Sequence, residues 1–127
     1  MPFRFITGKR MDELLRFLPL FEGPTAGFVI ERGNALDVPY PTYSPVVVEF
    51  FDLASQPWWV DGGYDPLAAG EQVRNDEAIA TASLGQIKAM LTFCVRSERF
   101  CDGAWLAMLE QGRIVAILRR LQKLRGR

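Results

Sequence analysis

Histidine does not occur in this chain of 127 residues. Its absence rules out the Ser-His-Asp and Cys-His arrangements that activate a nucleophile through an imidazole base. It removes the side chain most used for proton transfer near neutral pH. Zinc loses its usual ligands as well. Only two cysteines are present, Cys94 and Cys101, and two thiolates cannot close a tetrahedral site. Two cysteines seven residues apart are no disulfide framework either. They are expected as reduced, half-buried thiols in a cytoplasmic protein. Long apolar runs are also missing. The runs present, such as Pro45–Val48 and Ile114–Leu118, fall far below the ~20 residues of a membrane span, so no membrane association is expected. The N-terminus shows no secretory cleavage pattern. Gly62-Gly63 lacks the lysine and spacing of a phosphate loop. No cofactor and no metal follow from any motif.

What is present suits one folded domain spanning residues 1–127. Apolar residues make up 49%, too many for a disordered chain and enough for a core at this length. The net charge is zero, yet the charges are segregated. Residues 21–82 carry two basic and ten acidic groups, whereas residues 83–127 carry nine basic and three acidic groups. Arg113, Arg119, Arg120, Lys123, Arg125 and Arg127 close the chain with no acid among them. Such asymmetry fits a polyanion surface on Arg113, Arg119, Arg120 and Lys123, or a basic helix that packs across the acidic middle and neutralises it. Self-neutralisation is favoured, because a dedicated nucleic-acid domain is usually basic overall. The same segregation would let two copies pair with opposite patterns matched, as a twofold homodimer.

The pattern along the chain predicts a mainly α (α+β) fold, with at most a small two- or three-stranded β element. A first helix is expected over Met11–Leu18, stopped by Pro19. Thr25–Arg32 is short and β-branched, which suits an extended edge. Residues 33–43, with Pro39 and Pro41, read as a loop. Ser44-Pro45 predicts a helix start with a capping hydroxyl, and Trp58–Val60 reads as extended. Asp65, Asn75 and Ser83 are further expected caps, the last with Gln86 as a capping box. The helix from Ser83 carries Leu84, Ile87, Met90, Leu91, Cys94 and Val95 at helical spacing. Ala104–Gln111 follows, with Gly112 as its stop, then Arg113–Leu124 with Ile114, Ile117, Leu118, Leu121 and Leu124 on one stripe. The helices that start at Ser44 and Ser83 are expected at the centre.

Three groups of residues offer chemistry. The densest is Arg96–Gly103, where Arg96, Glu98, Arg99 and Asp102 crowd a helix end. Arginine forks suit a phosphate or carboxylate. The structural alternative pairs Arg99 with Asp102 or Glu98, with Phe100 anchoring the turn in the core. The second is an aromatic cluster of Tyr40, Tyr43, Trp58, Trp59 and Tyr64, in which adjacent tryptophans would point to opposite sides. Such rings can stack on a ligand but more often roof a core. The third is a set of carboxylates, Asp61, Asp65, Glu71, Asp76 and Glu77, numerous enough for acid–base work yet spaced like helix caps.

Tyr43-Ser44-Pro45, Trp59, Arg96-x-x-Arg99-Phe100-x-x-Gly103, Gly112 and Leu118-Arg-Arg-Leu121 together resemble an uncharacterised bacterial family, domain of unknown function 6508, from about Leu14 to Leu121. The resemblance implies a grouping and no mechanism. The favoured reading is a small cytoplasmic binding or regulatory module. Its candidate site takes an unknown protein or a small anionic ligand at Arg96, Arg99, Asp102, Tyr43 and Trp59. The alternatives are a histidine-free enzyme, with Arg96 and Arg99 clamping a phosphorylated or nucleotide-like substrate, and weak nucleic-acid binding through the last helix. A deep pocket walled by Trp59 and Tyr43 around a buried carboxylate would favour the enzyme; a shallow surface would favour the module.

Overall fold

The structure, a computed structural model, describes residues 6–23, 25–31 and 42–126. Tyr40, Pro39 and Pro41 lie outside the described residues. Among the described residues, eight α-helices account for more than half of the chain: α1 (Gly8–Leu15), α2 (Leu18–Phe21), α3 (Pro45–Ala54), α4 (Pro66–Val73), α5 (Asp76–Ala80), α6 (Leu84–Ser97), α7 (Ala104–Glu110) and α8 (Arg113–Arg125). A 3-10 turn at Thr25–Phe28 leads into β1 (Val29–Glu31), which pairs antiparallel with β2 (Thr42–Tyr43). The fold is therefore mainly α, with one two-stranded ribbon.

Local chemistry explains most of the boundaries. The Asp65 carboxylate accepts from the Leu67 and Ala68 N–H groups at the start of α4, and the Asn75 side chain accepts from Ala78 N–H at the start of α5. Ser83 and Gln86 form a complete capping box on α6. Each supplies an acceptor to amides that the first turn leaves unpaired. Ser44 departs from expectation. Its backbone has cap geometry, but its hydroxyl makes no cap bond and is buried without a hydrogen-bond partner. Pro19 departs too. The first helix ends at Leu15, and Pro19 sits in the first turn of α2 instead of stopping α1. A proline is tolerated there because first-turn amides lack intrahelical acceptors anyway. Trp58–Val60 is a turn, not an extended segment, with Trp59 and Val60 N–H both donating to the Gln56 carbonyl.

The buried side chains form one contiguous cluster. Phe17, Phe21, Phe28, Phe50, Phe51, Trp105 and Tyr43 run through it as successive ring contacts. Helix α8 joins α6 at the centre and packs against α1, α2, α5, α6 and α7. Ile114, Ile117, Leu118 and Leu121 are fully buried along it, each contributing roughly 1.5–3 kcal/mol on transfer from water. Leu124 falls off the expected stripe at 36% exposure. No described helix is long and apolar enough to cross a membrane.

Candidate functional site: the α6–α7 turn and its groove

Helix α6 ends at Ser97, and the chain reverses through residues 98–103 into α7. Gly103 takes φ +90 in this turn and Gly112 takes φ +74 at the next, a left-handed backbone that glycine adopts without a Cβ penalty. The centre of the turn is a carboxylate. Glu98 Oε1 accepts from the Tyr43 hydroxyl and from Trp105 N–H, both at 2.9 Å, and Oε2 accepts from Gly103 N–H at 2.9 Å. It thus caps the N-terminus of α7, where a negative charge is favoured. Tyr43, carried in by β2, accepts in turn from Leu106 N–H at 3.0 Å. Burial holds the Tyr43 phenol far above its ordinary value. The Leu106 N–H opposes that shift, and Glu98, as acceptor and as charge, reinforces it. The Trp105 indole lies flat on Phe51, centroids 4.1 Å apart, and its N–H donates to the Cys94 and Val95 carbonyls near the end of α6.

Glu98, not an arginine, therefore organises the polar segment. The expected pairing of Arg99 with Glu98 does not form, because Tyr43 and the α7 amides occupy that carboxylate. Arg99 and Asp102 are exposed, and Arg99 has no ion-pair partner among the described residues. Arg96 lies over the Tyr64 ring at 5.2 Å. Phe100, expected in the core, is 87% exposed. The tight turn turns it outward and leaves Trp105 to fill the interior.

Trp59 does not join this assembly at the surface. It is 0% exposed, among the largest fully buried side chains, while neighbouring Trp58 is half-buried beneath the Arg10 guanidinium at 3.7 Å. The carboxylates are dispersed. Asp61 accepts from Gly63 N–H in a turn, Asp65 caps α4, and Asp76 pairs with Arg113. No three potential metal ligands converge among the described residues. The two cysteines also part company. Cys94 is fully buried, which pushes its thiol up to about 12, whereas Cys101 is exposed beyond the end of α6. Neither is the half-buried thiol expected. On α8, Arg119 pairs with Glu22, Arg125 with Asp12, and Arg120 donates to the Ala82 carbonyl, while Lys123 is exposed.

The same turn opens a groove that the sequence pattern did not single out. It has a volume of about 390 Å³ between α4, α6 and α7. Phe93 and Ser97 line it from α6, Ala104, Ala107 and Met108 from α7, and Phe100 and Cys101 from the turn, with Arg74 and Arg113 at its edge. Positions 104, 107, 108 and 111 share one face of α7, opposite the face that buries Leu106 and Leu109. That second, small-residue face was the available signal. A smaller cleft of about 350 Å³ lies over Phe51 and Trp105, flanked by Asp52, Glu98 and Arg99.

Residues 6–127 match the model of a family described as a family of unknown function (DUF6508). No curated protein and no solved structure matches the chain.

Proposed function

We propose that this chain, which belongs to that family of unknown function, is a binding module whose contact surface is the α6–α7 turn with its adjoining groove. One observation carries the reading. Phe100 stands 87% exposed at the tip of the turn, beside a groove walled by further apolar side chains. A large exposed ring contiguous with an apolar depression makes a patch of the kind that marks interaction sites. Arg99 extends from the same tip with its charge unspent on any described acid. The enzyme reading loses support from the same geometry. Trp59 is in the core, and the one carboxylate at the centre of the turn already accepts three hydrogen bonds. The two unpaired thiols favour a reducing, cytoplasmic setting.

The test is a thermal-shift screen of the wild type and Phe100→Ser against nucleotides, sugar phosphates, short nucleic acids and peptides. A ligand selective for the folded state raises the melting temperature. The expected result is a shift in the wild type that the variant loses. A ligand that is chemically converted during the assay would place the chain among enzymes and sink the proposal.

A further inference from the structure

We infer that the groove along α7 takes an acidic amphipathic segment of a partner protein, with an apolar side chain seated by Phe100 and carboxylates on Arg74 and Arg113. This deepens the binding reading and rests on it. Phe100 and Cys101 precede α7, and Gln111 and Arg113 follow it, so the groove runs the length of the helix, roughly 10 Å for seven residues. Its two ends differ in character. The turn end is aromatic. The other end is basic, because Arg74 closes α4 and Arg113 is held by Asp76 at the start of α5.

Charge complementarity selects the occupant. Two arginines line the groove and no acid does. Arg74 has no ion-pair partner among the described residues. Arg113 spends one terminal nitrogen on Asp76, while its Nε is buried without a hydrogen-bond partner. That Nε is shut off from the surface, so an incoming carboxylate meets the other terminal nitrogen, which Asp76 does not take, in a charge-assisted bond. Between the ends, the wall is built for close apolar contact. Gly70 lets α4 approach so near that a Cβ there would sit 3.1 Å from the Phe93 ring and 3.6 Å from an Arg74 nitrogen. Ala104 and Ala107 keep the α7 wall low, and Met108 adapts its shape to what it meets.

The partner is a protein segment and not a free amphiphile for a reason of coverage. Small-molecule sites enclose most of their ligand, whereas this groove is open and Phe100, which lines it, is left 87% exposed. Covering that ring takes a body that extends beyond the groove. A helix laid into it would set its apolar anchor and its acids about two turns apart, in the manner of helix-in-groove recognition.

The experiment measures binding of two labelled helical peptides of roughly 15 residues, long enough to hold a helix. They share one leucine face and carry either two Glu or two Lys two turns from the anchor. The glutamate peptide is expected to bind at least tenfold more tightly. Arg74→Glu should remove that preference, and Phe100→Ala should weaken the glutamate peptide about tenfold. Arg74 is exposed, so its variant should melt like the wild type, which a thermal scan verifies. Equal affinity for the two peptides, or a preference untouched by Arg74→Glu, overturns the inference. If neither peptide binds while the screen above yields a ligand lost in Phe100→Ser, the acidic segment is wrong and the binding reading stands. If dodecanoate alone binds, and does so through Arg74, the groove holds a free amphiphile and the inference fails.

Discussion

The Tyr43 hydroxyl donates to Glu98 Oε1 at 2.9 Å while it accepts from Leu106 N–H at 3.0 Å, so one phenol joins strand β2, the end of α6 and the start of α7. Residues 55 positions apart are fixed to each other by this bond, and the carboxylate is shared with two amides of the α6–α7 turn. Removing either partner strands the other. Tyr43→Phe should cost about 1–3 kcal/mol, the range for leaving a buried polar group unmade. Glu98→Ala should cost more than Tyr43→Phe, since it abandons three donors at once. Glu98→Gln should fall between them, because an amide offers one oxygen where the carboxylate offers two. Urea midpoints that shift at constant slope would check the order. A Glu98→Ala variant as stable as the wild type would show that the turn does not depend on this carboxylate.

The same phenol sets an alkaline limit. Its value in the folded protein lies above its ordinary one. The neutral form is therefore preferred in the fold, and that stability is fully present below the unfolded value of about 10 and lost as pH rises past it. The Cys94 thiol behaves alike, pushed by burial from 9.0 to about 12. Stability should hold level from neutral pH to about 9, fall gently as the Cys94 contribution is lost, and fall faster beyond about 10 as that of Tyr43 follows. Cys94→Ala should delay the onset and Tyr43→Phe should flatten the steeper part. Chemical melts between pH 7 and 11 read both; a profile unchanged in Tyr43→Phe would contradict the assignment.

The cysteines give a sharper contrast. Cys101 is exposed at the groove, and Cys94 is enclosed by the core. Thiolate formation and access both govern alkylation. Native protein at pH 8 should therefore label once with iodoacetamide, at Cys101, and a second time only in denaturant. Cys101→Ser should abolish native labelling. Rapid double labelling without denaturant would mean that the α6 core opens far more readily than its burial implies.

Local signals in the sequence were legible where their chemistry stayed local. The caps at Asp65, Asn75 and Ser83 act within three residues of themselves, and the apolar periodicity maps onto buried positions from Ile87 to Cys94 in α6, with Leu84 and Val95 half-buried at its ends, and as far as Leu121 in α8. The site was legible only as a location. Arg96–Gly103 is indeed a dense polar turn, but the partner of Glu98 comes from β2, far along the chain, and nothing in the spacing announces it. Phe100, expected in the core, stands outside it, and Trp59, a candidate for the site, took the alternative expected of such rings and lies in the core. An aromatic residue at a helix end is placed inside or outside by its neighbours in space, and here Trp105 takes the interior by stacking on Phe51. Ser44 and Pro19 show the converse limit, since a capping residue type and a helix-breaking one each have two uses that only the surrounding packing decides.

The basic face of α8 is the last point to test, because charge counting and geometry pull apart there. Six cations in fifteen residues suggest a track for phosphates. The structure commits most of them elsewhere. Arg119 meets Glu22 at 2.7 Å, Arg125 meets Asp12 at 3.2 Å, Arg113 meets Asp76, and Arg120 donates at 2.8 Å to the carbonyl of Ala82, a fully buried residue. Exposed ion pairs of this kind are worth only ~0.2–1 kcal/mol each, so energy alone does not lock them. What opposes a polyanion is that recruiting Arg113, Arg119 or Arg125 leaves a carboxylate facing the phosphates, and recruiting Arg120 strands the Ala82 carbonyl. Wild-type protein is therefore expected to give no anisotropy change with short DNA or RNA at a salt concentration of about 50 mM, where phosphate contacts are strongest. Arg119→Ala should change stability by less than about 0.5 kcal/mol, as an exposed residue does. Arg120→Ala should cost about 1 kcal/mol or more, since it deprives a buried carbonyl of its donor. Binding that weakens about a hundredfold between 50 and 200 mM salt, and disappears in the combined Arg119→Ala, Arg120→Ala, Lys123→Ala variant, would reverse this conclusion and make the face a nucleic-acid surface. Equal stability of the two single variants would instead show that the Arg120–Ala82 bond does not hold α8 against the end of α5.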